Sequence, residues 1–209
     1  MPNLKHETHE NWYRDVPKMK CLILGSFPPN KIRWDYPFYY PNSTNRFWSI
    51  LAKIAKKPLV HNKGEEAVEE RYEIMRLLNV GIQNIGLEIE RKDNSADDSK
   101  IKIKKFQDIL SIIKKHKELE KILLPGYSAP SSTTRAFLKY LNSENIPYEI
   151  KVIKIKANVE FFINVFDRKI KCVILNLSCC KDNYQAICHF LGMFHYRYIP
   201  NNRLRKRNI

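Results

Sequence analysis

Five aromatic residues occur within the seven positions 34–40, shortly after an apolar run that ends at Gly25. They are Trp34, Tyr36, Phe38, Tyr39 and Tyr40. Flat rings beside backbone polar groups suit a planar heterocycle, which stacks on the rings and forms hydrogen bonds at its edge. We therefore expect a site for a planar heterocycle here, with roughly half of the rings in the core and about one or two facing the ligand.

The same loop lacks the sequence patterns that bind phosphate groups. It contains neither G-x-x-x-x-G-K-[ST] nor G-x-G-x-x-G, and Pro28-Pro29 removes two backbone N–H donors. A cradle for a nucleoside triphosphate or a dinucleotide is therefore excluded at this position.

Short apolar runs that end in turn or polar residues predict the strands that position this loop. These runs cover residues 20–25, 80–86, 121–126 and 171–177. Stretches with helical spacing lie between and after them, at residues 45–57, 65–78, 104–120, 132–145 and 182–197. Strand followed by helix, repeated, predicts an α/β fold with three layers, α/β/α, around a central, mainly parallel sheet of about four to five strands.

One further stretch, residues 148–162, alternates apolar and polar side chains and predicts either a fifth strand or a hairpin. Its lysines fit the solvent face of an edge strand or a row that faces phosphate groups. Ligands of open parallel sheets bind outside the carboxyl ends of the strands. We therefore expect functional side chains in the loops from Gly25 onward and at residues 84–98, 125–132 and 176–183.

Length and hydropathy predict one domain over residues 1–209 that does not cross a membrane. The first residues mix acids and bases and have no apolar signal region. We expect a chain that starts here, acts as a monomer and resides in the cytoplasm, at the nucleoid.

The charge balance favours a polyanionic partner. Thirty-seven Lys and Arg against 22 Asp and Glu give a net charge of +15. A general lysine bias of the proteome is the alternative explanation. The basic tail, residues 203–209, is expected to be mobile and to touch nucleic acid phosphates without sequence preference.

The five cysteines form no C-x-x-C pair and no zinc-type spacing with histidine. We interpret them as reduced structural residues and expect neither a metal nor another cofactor.

The block from Leu22 to Trp48, "LILGSFPP…YYPNSTNRFW", resembles the first motif of the uracil-DNA glycosylase superfamily, in particular the branch of DNA-deoxyinosine (hypoxanthine) glycosylases. That branch typically has a strand ending in GSFP or GSMP, then YY or FY, and an ending similar to RNxFW. Residues 81–98 and 121–141 are similar to two looser blocks, so the resemblance spans nearly the whole chain. It implies a glycosylase fold and a DNA substrate, either a damaged or mismatched duplex or a single strand.

The resemblance also implies roles for individual residues. Asn45 matches the polar residue that positions the attacking water, and Tyr40 matches the ring on which the flipped base stacks. The base-binding set is Gly25, Ser26, Phe27, Tyr40 and Phe47. Ser95 and Asp97 match the polar loop after the second strand.

The second signature of the family, similar to LPSxSPAN, falls on "NLSCCKDN". Ser178 stands at its first serine and Asn183 at its last position, which places both among the DNA-binding residues that the resemblance implies. The proline and the second serine are absent, no histidine is present, and Gly86 stands where the branch usually has Asp.

Together these features favour a monofunctional DNA glycosylase that removes uracil or hypoxanthine. Hydrolysis of an N-glycosidic bond needs a held water, hydrogen bonds to the departing base and a cavity closed to solvent. Asp35 competes as the base, although a residue that caps its own turn is the plainer interpretation. The histidines form no motif.

Two alternatives remain at this level. A superfamily member with an incomplete second motif would be a basic nucleic-acid-binding module without catalysis. A nuclease or phosphatase would need a carboxylate cluster for metal ions, and the predicted strand ends offer none.

Overall fold

The structure is a computed structural model that describes residues 4–92, 98–125, 132–151, 158–175 and Ile187. The strands are β1 (Leu4–Thr8), β2 (Cys21–Gly25), β3 (Val80–Asn84), β4 (Gly86–Lys92), β5 (Ile101–Phe106), β6 (Lys121–Pro125), β7 (Tyr148–Lys151), β8 (Asn158–Val165) and β9 (Arg168–Leu175). The helices are α1 (Arg46–Ala55), α2 (Gly64–Leu78), α3 (Ile109–Lys115) and α4 (Thr133–Ser143).

Within the described residues the main sheet has six strands in the order β3-β2-β6-β9-β8-β7. The first four run parallel to one another, with Gly25 of β2 opposite Asn84 of β3. All residues of β2 and β3 are buried, because helices cover both faces of the sheet. The predicted α/β class and the four predicted parallel strands are confirmed.

The alternating stretch after α4 forms a hairpin at the edge of this sheet. β7 pairs antiparallel with β8, and β8 pairs antiparallel with β9. Of the two predicted outcomes, the hairpin is the one that occurs, and it extends the sheet beyond the expected four to five strands.

The order of the strands places the helices on two faces. The chain crosses from β2 to β3 at one edge of the sheet, later returns past β2 to β6, and then crosses through α4 to β7 at the other edge. Right-handed crossovers therefore place α1 and α2 on one face and α3 and α4 on the other. A hydrogen bond of 3.0 Å from the Leu110 backbone N–H to the Tyr140 hydroxyl joins α3 to α4 and agrees with this layering.

A second, antiparallel sheet with the order β1-β4-β5 was not predicted. β5 occupies the start of the stretch expected to be helical, residues 104–120, so that prediction was wrong there. The isoleucines at 101 and 103 alternate with lysines and give β5 one buried face. The helix begins only after Asp108, whose carboxylate accepts a hydrogen bond of 2.9 Å from the Ser111 N–H.

In the part of the chain that the structure describes, no helix is both long enough and apolar enough to span a bilayer. Cys21 and Cys172 are buried thiols without a disulfide, and burial raises the pKa of both. Cys179, Cys180 and Cys188 lie outside the described residues.

Candidate functional site

The turn after β2 is fastened to the connection between β3 and β4. The backbone N–H groups of Ile85 and Gly86 donate to the carbonyl oxygens of Gly25 and Ser26, at 2.8 and 3.0 Å. Ser26 is buried and Phe27 is half-buried. Two adjacent parallel strands thus end together at the edge where ligands of such sheets bind.

Gly25 is required here because the Asn84 side chain lies directly against it. A Cβ atom on Gly25 would lie 2.1 Å from Asn84 Oδ1, which is closer than two non-bonded atoms can approach. The first predicted base-binding residue therefore makes room for an amide at the end of β3. The sequence reasoning did not single out Asn84.

His9 also belongs to this site and was not predicted. Its Nε2 lies 2.7 Å from Asn84 Nδ2, and its Nδ1 hydrogen-bonds to the Glu10 carbonyl oxygen. A carbonyl oxygen can only accept, so Nδ1 carries the proton and Nε2 accepts from the amide of Asn84. Burial lowers the pKa of His9, although the neighbouring Glu10 partly offsets this, so the ring is held neutral.

Three aromatic rings surround His9. Trp12 and Phe27 meet it edge to face, with centroids 5.0 and 5.6 Å away, and the Tyr39 ring lies at 6.3 Å. The Tyr39 hydroxyl donates to Gln83 Oε1 at 3.0 Å. The end of β3 is therefore a polar network inside an aromatic enclosure, which fixes the orientation of Asn84.

The rings of residues 34–40 divide between core and surface. Tyr36, Phe38 and Tyr39 are buried, whereas Trp34 and Tyr40 are half-buried, in agreement with the expected division. Arg71 of α2 lies over the Tyr36 ring, with its guanidinium carbon 4.1 Å from the centroid.

Tyr40 stacks on Phe47, with centroids 3.8 Å apart and an interplanar angle of 19°. One face of each predicted base-binding ring is therefore covered by the other. Tyr40 has a positive φ of 49°. The Tyr36 hydroxyl donates to its carbonyl oxygen at 2.8 Å, which holds this unusual backbone conformation.

Asn45 lies immediately before α1 and is exposed. Its Oδ1 accepts a hydrogen bond of 2.8 Å from the Phe47 N–H, so the side chain caps the helix. A carbonyl oxygen has two lone pairs, and the amide nitrogen has two protons. Capping therefore leaves Asn45 with groups that can hold a water.

Asp35 closes the aromatic loop rather than facing a site. Its carboxylate accepts from the Ser43 backbone N–H at 2.7 Å, and its own N–H donates to the Pro41 carbonyl oxygen at 2.9 Å. The hydrogen bond from Ser43 lowers the pKa of Asp35. Asp35 is thus a weak base, as the plainer interpretation predicted.

A cavity of about 520 Å³ borders the first group of residues. Its lining comes from residues 5–10 and from the segment 27–34, including Phe27, Pro28 and Trp34. Lys31 forms an ion pair with Glu10 between the two segments, and the hydrogen bond from Lys31 lowers the pKa of Glu10. Tyr40 and Asn45 do not line it.

A second cavity, of about 480 Å³, lies between the end of β5 and α4. Lys104, Lys105 and Tyr140 are part of its lining. Burial raises the pKa of the Tyr140 hydroxyl to about 12. Neither cavity joins the Tyr40 side of the predicted site to Gly25.

Comparison with known proteins gives one similar solved structure. No family model and no curated protein matches the chain. A solution NMR structure of a candidate uracil DNA glycosylase from Methanosarcina acetivorans aligns with 62% of this chain and 73% of its own, at 22% identity and a TM-score of 0.44. A likeness at this level assigns no function, so the residues themselves must do so.

The remaining predicted residues, Ser95, Asp97, Ser178 and Asn183, lie outside the described residues. Within the described ranges, no group of three or more His, Cys, Asp or Glu side chains is arranged to hold a metal ion. The described site therefore consists of two groups: the first is Gly25, Ser26, Phe27, His9 and Asn84, and the second is Tyr40, Asn45 and Phe47.

Proposed function

We propose that this protein is a DNA glycosylase of the uracil-DNA glycosylase superfamily, which hydrolyses the N-glycosidic bond of a deaminated base, uracil or hypoxanthine. One observation carries the proposal. The motif block from Gly25 to Phe47 folds at the carboxyl edge of a parallel sheet, with a glycine turn, a ring stack and an exposed asparagine in chain order. Such an enzyme would work on DNA at the nucleoid.

The chemistry of Asn84 supports a deaminated base. Its Nδ2 is committed to His9, and Oδ1 has no hydrogen-bond donor within the described chain. Uracil and hypoxanthine each present a ring N–H at the edge where cytosine and adenine present a lone pair. An amide fixed with its oxygen as acceptor can accept a hydrogen bond from the ring N–H of uracil or hypoxanthine, which the lone pair of cytosine N3 or adenine N1 cannot donate.

In the reaction Asn45 holds the attacking water. A neutral amide orients the water but does not take its proton. The N-glycosidic bond breaks with its electron pair on the base, the water oxygen bonds to the sugar C1′, and the water's proton passes to the departed base or to solvent. Stabilisation of the departing base therefore supplies most of the rate enhancement. The reacting sugar develops oxocarbenium character, and hydrogen bonds to the departing base stabilise that transition state. The base must leave the duplex first, which costs least at a mismatched or deaminated pair.

Substitutions of Asn45 test this role without removing the helix cap. Asn45→Ser retains a capping side chain but lacks the amide, so we expect a melting temperature close to that of the wild type and a single-turnover rate lower by about 100-fold or more. Asn45→Asp retains the cap and adds a general base, so its rate should equal or exceed that of the wild type. Asn42→Asp, which removes an amide in the same loop but keeps the oxygen that accepts from Thr44, is the matched control.

The assay uses oligonucleotide duplexes that carry uracil or deoxyinosine, with enzyme in excess, and detects abasic sites by alkaline cleavage. No abasic product on either lesion would refute the proposal. Equal rates for wild type, Asn45→Ser and Asn45→Asp would mean that Asn45 caps α1 and does not hold the attacking water.

A second candidate function is DNA binding without catalysis. Two observations favour it: Phe47 already covers one face of Tyr40, and the second signature has lost its proline and second serine. Salt-dependent DNA binding without abasic sites would identify this function.

A further inference from the structure

The outer face of the three-stranded sheet carries a concentrated positive charge. We call it the lysine face and define it by Lys92, Lys100, Lys102, Lys104 and Lys105, all exposed. Ile101 is buried while Lys102 is exposed, and on β4 Arg91 is buried while Lys92 is exposed. On β4, Glu88, Glu90 and Lys92 alternate onto this outer face, and Lys105 and Lys102 of β5 lie opposite Glu88 and Glu90. The register shift beside Glu88 is what allows the adjacent Lys104 and Lys105 to both belong to it.

Two glutamates neutralise only part of this charge. Glu90 pairs with Lys104 at 3.0 Å, and Glu88 pairs with Lys105 at 3.5 Å. Lys92, Lys100 and Lys102 form no ion pair with a described carboxylate. The five lysines of the face thus outnumber its two described glutamates by three.

The opposite face of the same sheet holds the candidate site. Arg91 Nη2 donates to the Pro28 carbonyl oxygen at 2.7 Å, and its guanidinium lies 5.8 Å from the Phe27 ring centroid. Gly86, the first residue of β4, donates to Ser26. The lysine face is thus joined rigidly to the turn that follows β2.

The chemistry of the face fits a phosphate backbone. Lysine ammonium groups neutralise phosphates without reading the base sequence. The aromatic residue at the end of β5, Phe106, packs on Tyr140 at 5.6 Å and is not part of the lysine face. Without rings for stacking, the face suits the outside of a duplex better than the bases of a single strand.

We propose that the lysine face holds the phosphate backbone of duplex DNA beside the candidate site. The proposal deepens the proposed glycosylase function, since it names the surface that positions the substrate. The lysines lie behind the Gly25–Phe27 turn, so they position the duplex and do not touch the reacting nucleotide.

The test compares two triple variants with the same change in charge. The first is Lys92→Gln, Lys100→Gln and Lys102→Gln. The matched control is Lys18→Gln, Lys20→Gln and Lys117→Gln, three exposed lysines next to the amino ends of β2 and β6, at the opposite edge of the main sheet. Binding of an undamaged duplex is measured by fluorescence anisotropy at several salt concentrations.

We expect the slope of log K against log salt to become shallower by about 0.9 for each phosphate that the protein no longer neutralises, hence by roughly 2.7 in the first variant. The control variant should keep the wild-type slope, and Lys102→Arg should keep it as well because the charge is retained. Equal changes of slope in both triple variants, or an unchanged slope in the first, would overturn the proposal. Melting temperatures close to wild type show that both variants fold.

The two proposals fail separately. Undamaged duplex reports on the lysine face whether or not abasic sites are ever formed. If the enzyme is active, the first variant should raise the DNA concentration needed for half-maximal rate and leave the single-turnover rate at saturation unchanged. A lower rate at saturation would contradict the positioning role.

Discussion

The two groups of the candidate site are held in different ways. The group around Gly25 draws on three separate segments, which are joined by the hydrogen bond between His9 and Asn84 and by backbone hydrogen bonds from residues 85 and 86. The group of Tyr40, Asn45 and Phe47 comes from eight consecutive residues at the surface, and its contacts described above are local. The first group is therefore part of the core, while the second can adjust to a ligand without unfolding the protein.

This difference separates stability from activity. A substitution in the first group should lower the free energy of unfolding together with any activity. A substitution in the second group should lower activity with little change in stability.

The largest effect on stability is expected from His9→Ala. It leaves the Asn84 amide unpaired and opens a space between three rings, which costs about 2–4 kcal/mol of unfolding free energy. His6→Ala, three positions earlier and exposed, should change it by less than about 0.5 kcal/mol. Urea unfolding measures both, and similar small effects would show that the His9 network is not structural.

Gly25→Ala should cost about 1–3 kcal/mol, because the new methyl group displaces the Asn84 side chain. The clash needs both partners, so the same change in an Asn84→Ala background should cost much less. A double-mutant cycle by thermal unfolding measures this coupling. If the effects of the two substitutions are additive, the destabilisation by Gly25→Ala does not arise from its contact with Asn84.

Acidic pH should lower the free energy of unfolding through the titration of His9, which belongs to the first group. The folded protein holds this ring neutral with a lowered pKa, whereas the unfolded chain takes up the proton near its ordinary value of 6.5. This contribution is present above pH 6.5 and is lost as the pH falls below it, by on the order of 1.4 kcal/mol per pH unit until the folded His9 is protonated. His9→Gln should show a flatter stability curve between pH 7 and pH 5 than wild type; parallel curves would contradict the assignment.

The smallest stability effect is expected from Tyr40→Leu, which removes the ring stack. Such a pair contributes about 0.5–1.5 kcal/mol, and Phe47→Leu should cost a similar amount. The double variant should cost less than the sum of the two, as read from urea unfolding. If Tyr40→Leu instead costs as much as His9→Ala, the two groups are equally structural and the comparison fails.

The main sheet could be predicted because its strands carry their signal locally. β2, β3, β6 and β9 are apolar on both faces and bounded by turn residues, and such runs specify buried strands whatever the surroundings. The second sheet was missed because its strands are rich in charged residues and lack an apolar run. Residues 101–103 were assigned to no element, and residues 104–108 were assigned to a helical pattern that really begins at 109.

The site could be predicted only in part, for a similar reason. The sequence alone shows that Asn45 precedes a helical pattern and that several aromatic residues follow Gly25. His9 and Asn84 are 75 positions apart, and their hydrogen bond depends on the pairing of β1 with β4, which brings His9 to the end of β3. A histidine two residues before Asn-Trp carries no pattern of its own, so only the fold could identify it.

The position of β1 bears on how the protein should be handled and engineered. Its five residues cover one side of β4 along the whole of its paired length. Trimming the chain from its amino end would uncover a row of backbone N–H and C=O groups that another molecule can pair with, strand against strand. Shortened versions should therefore self-associate, and affinity tags should be attached at the carboxyl end.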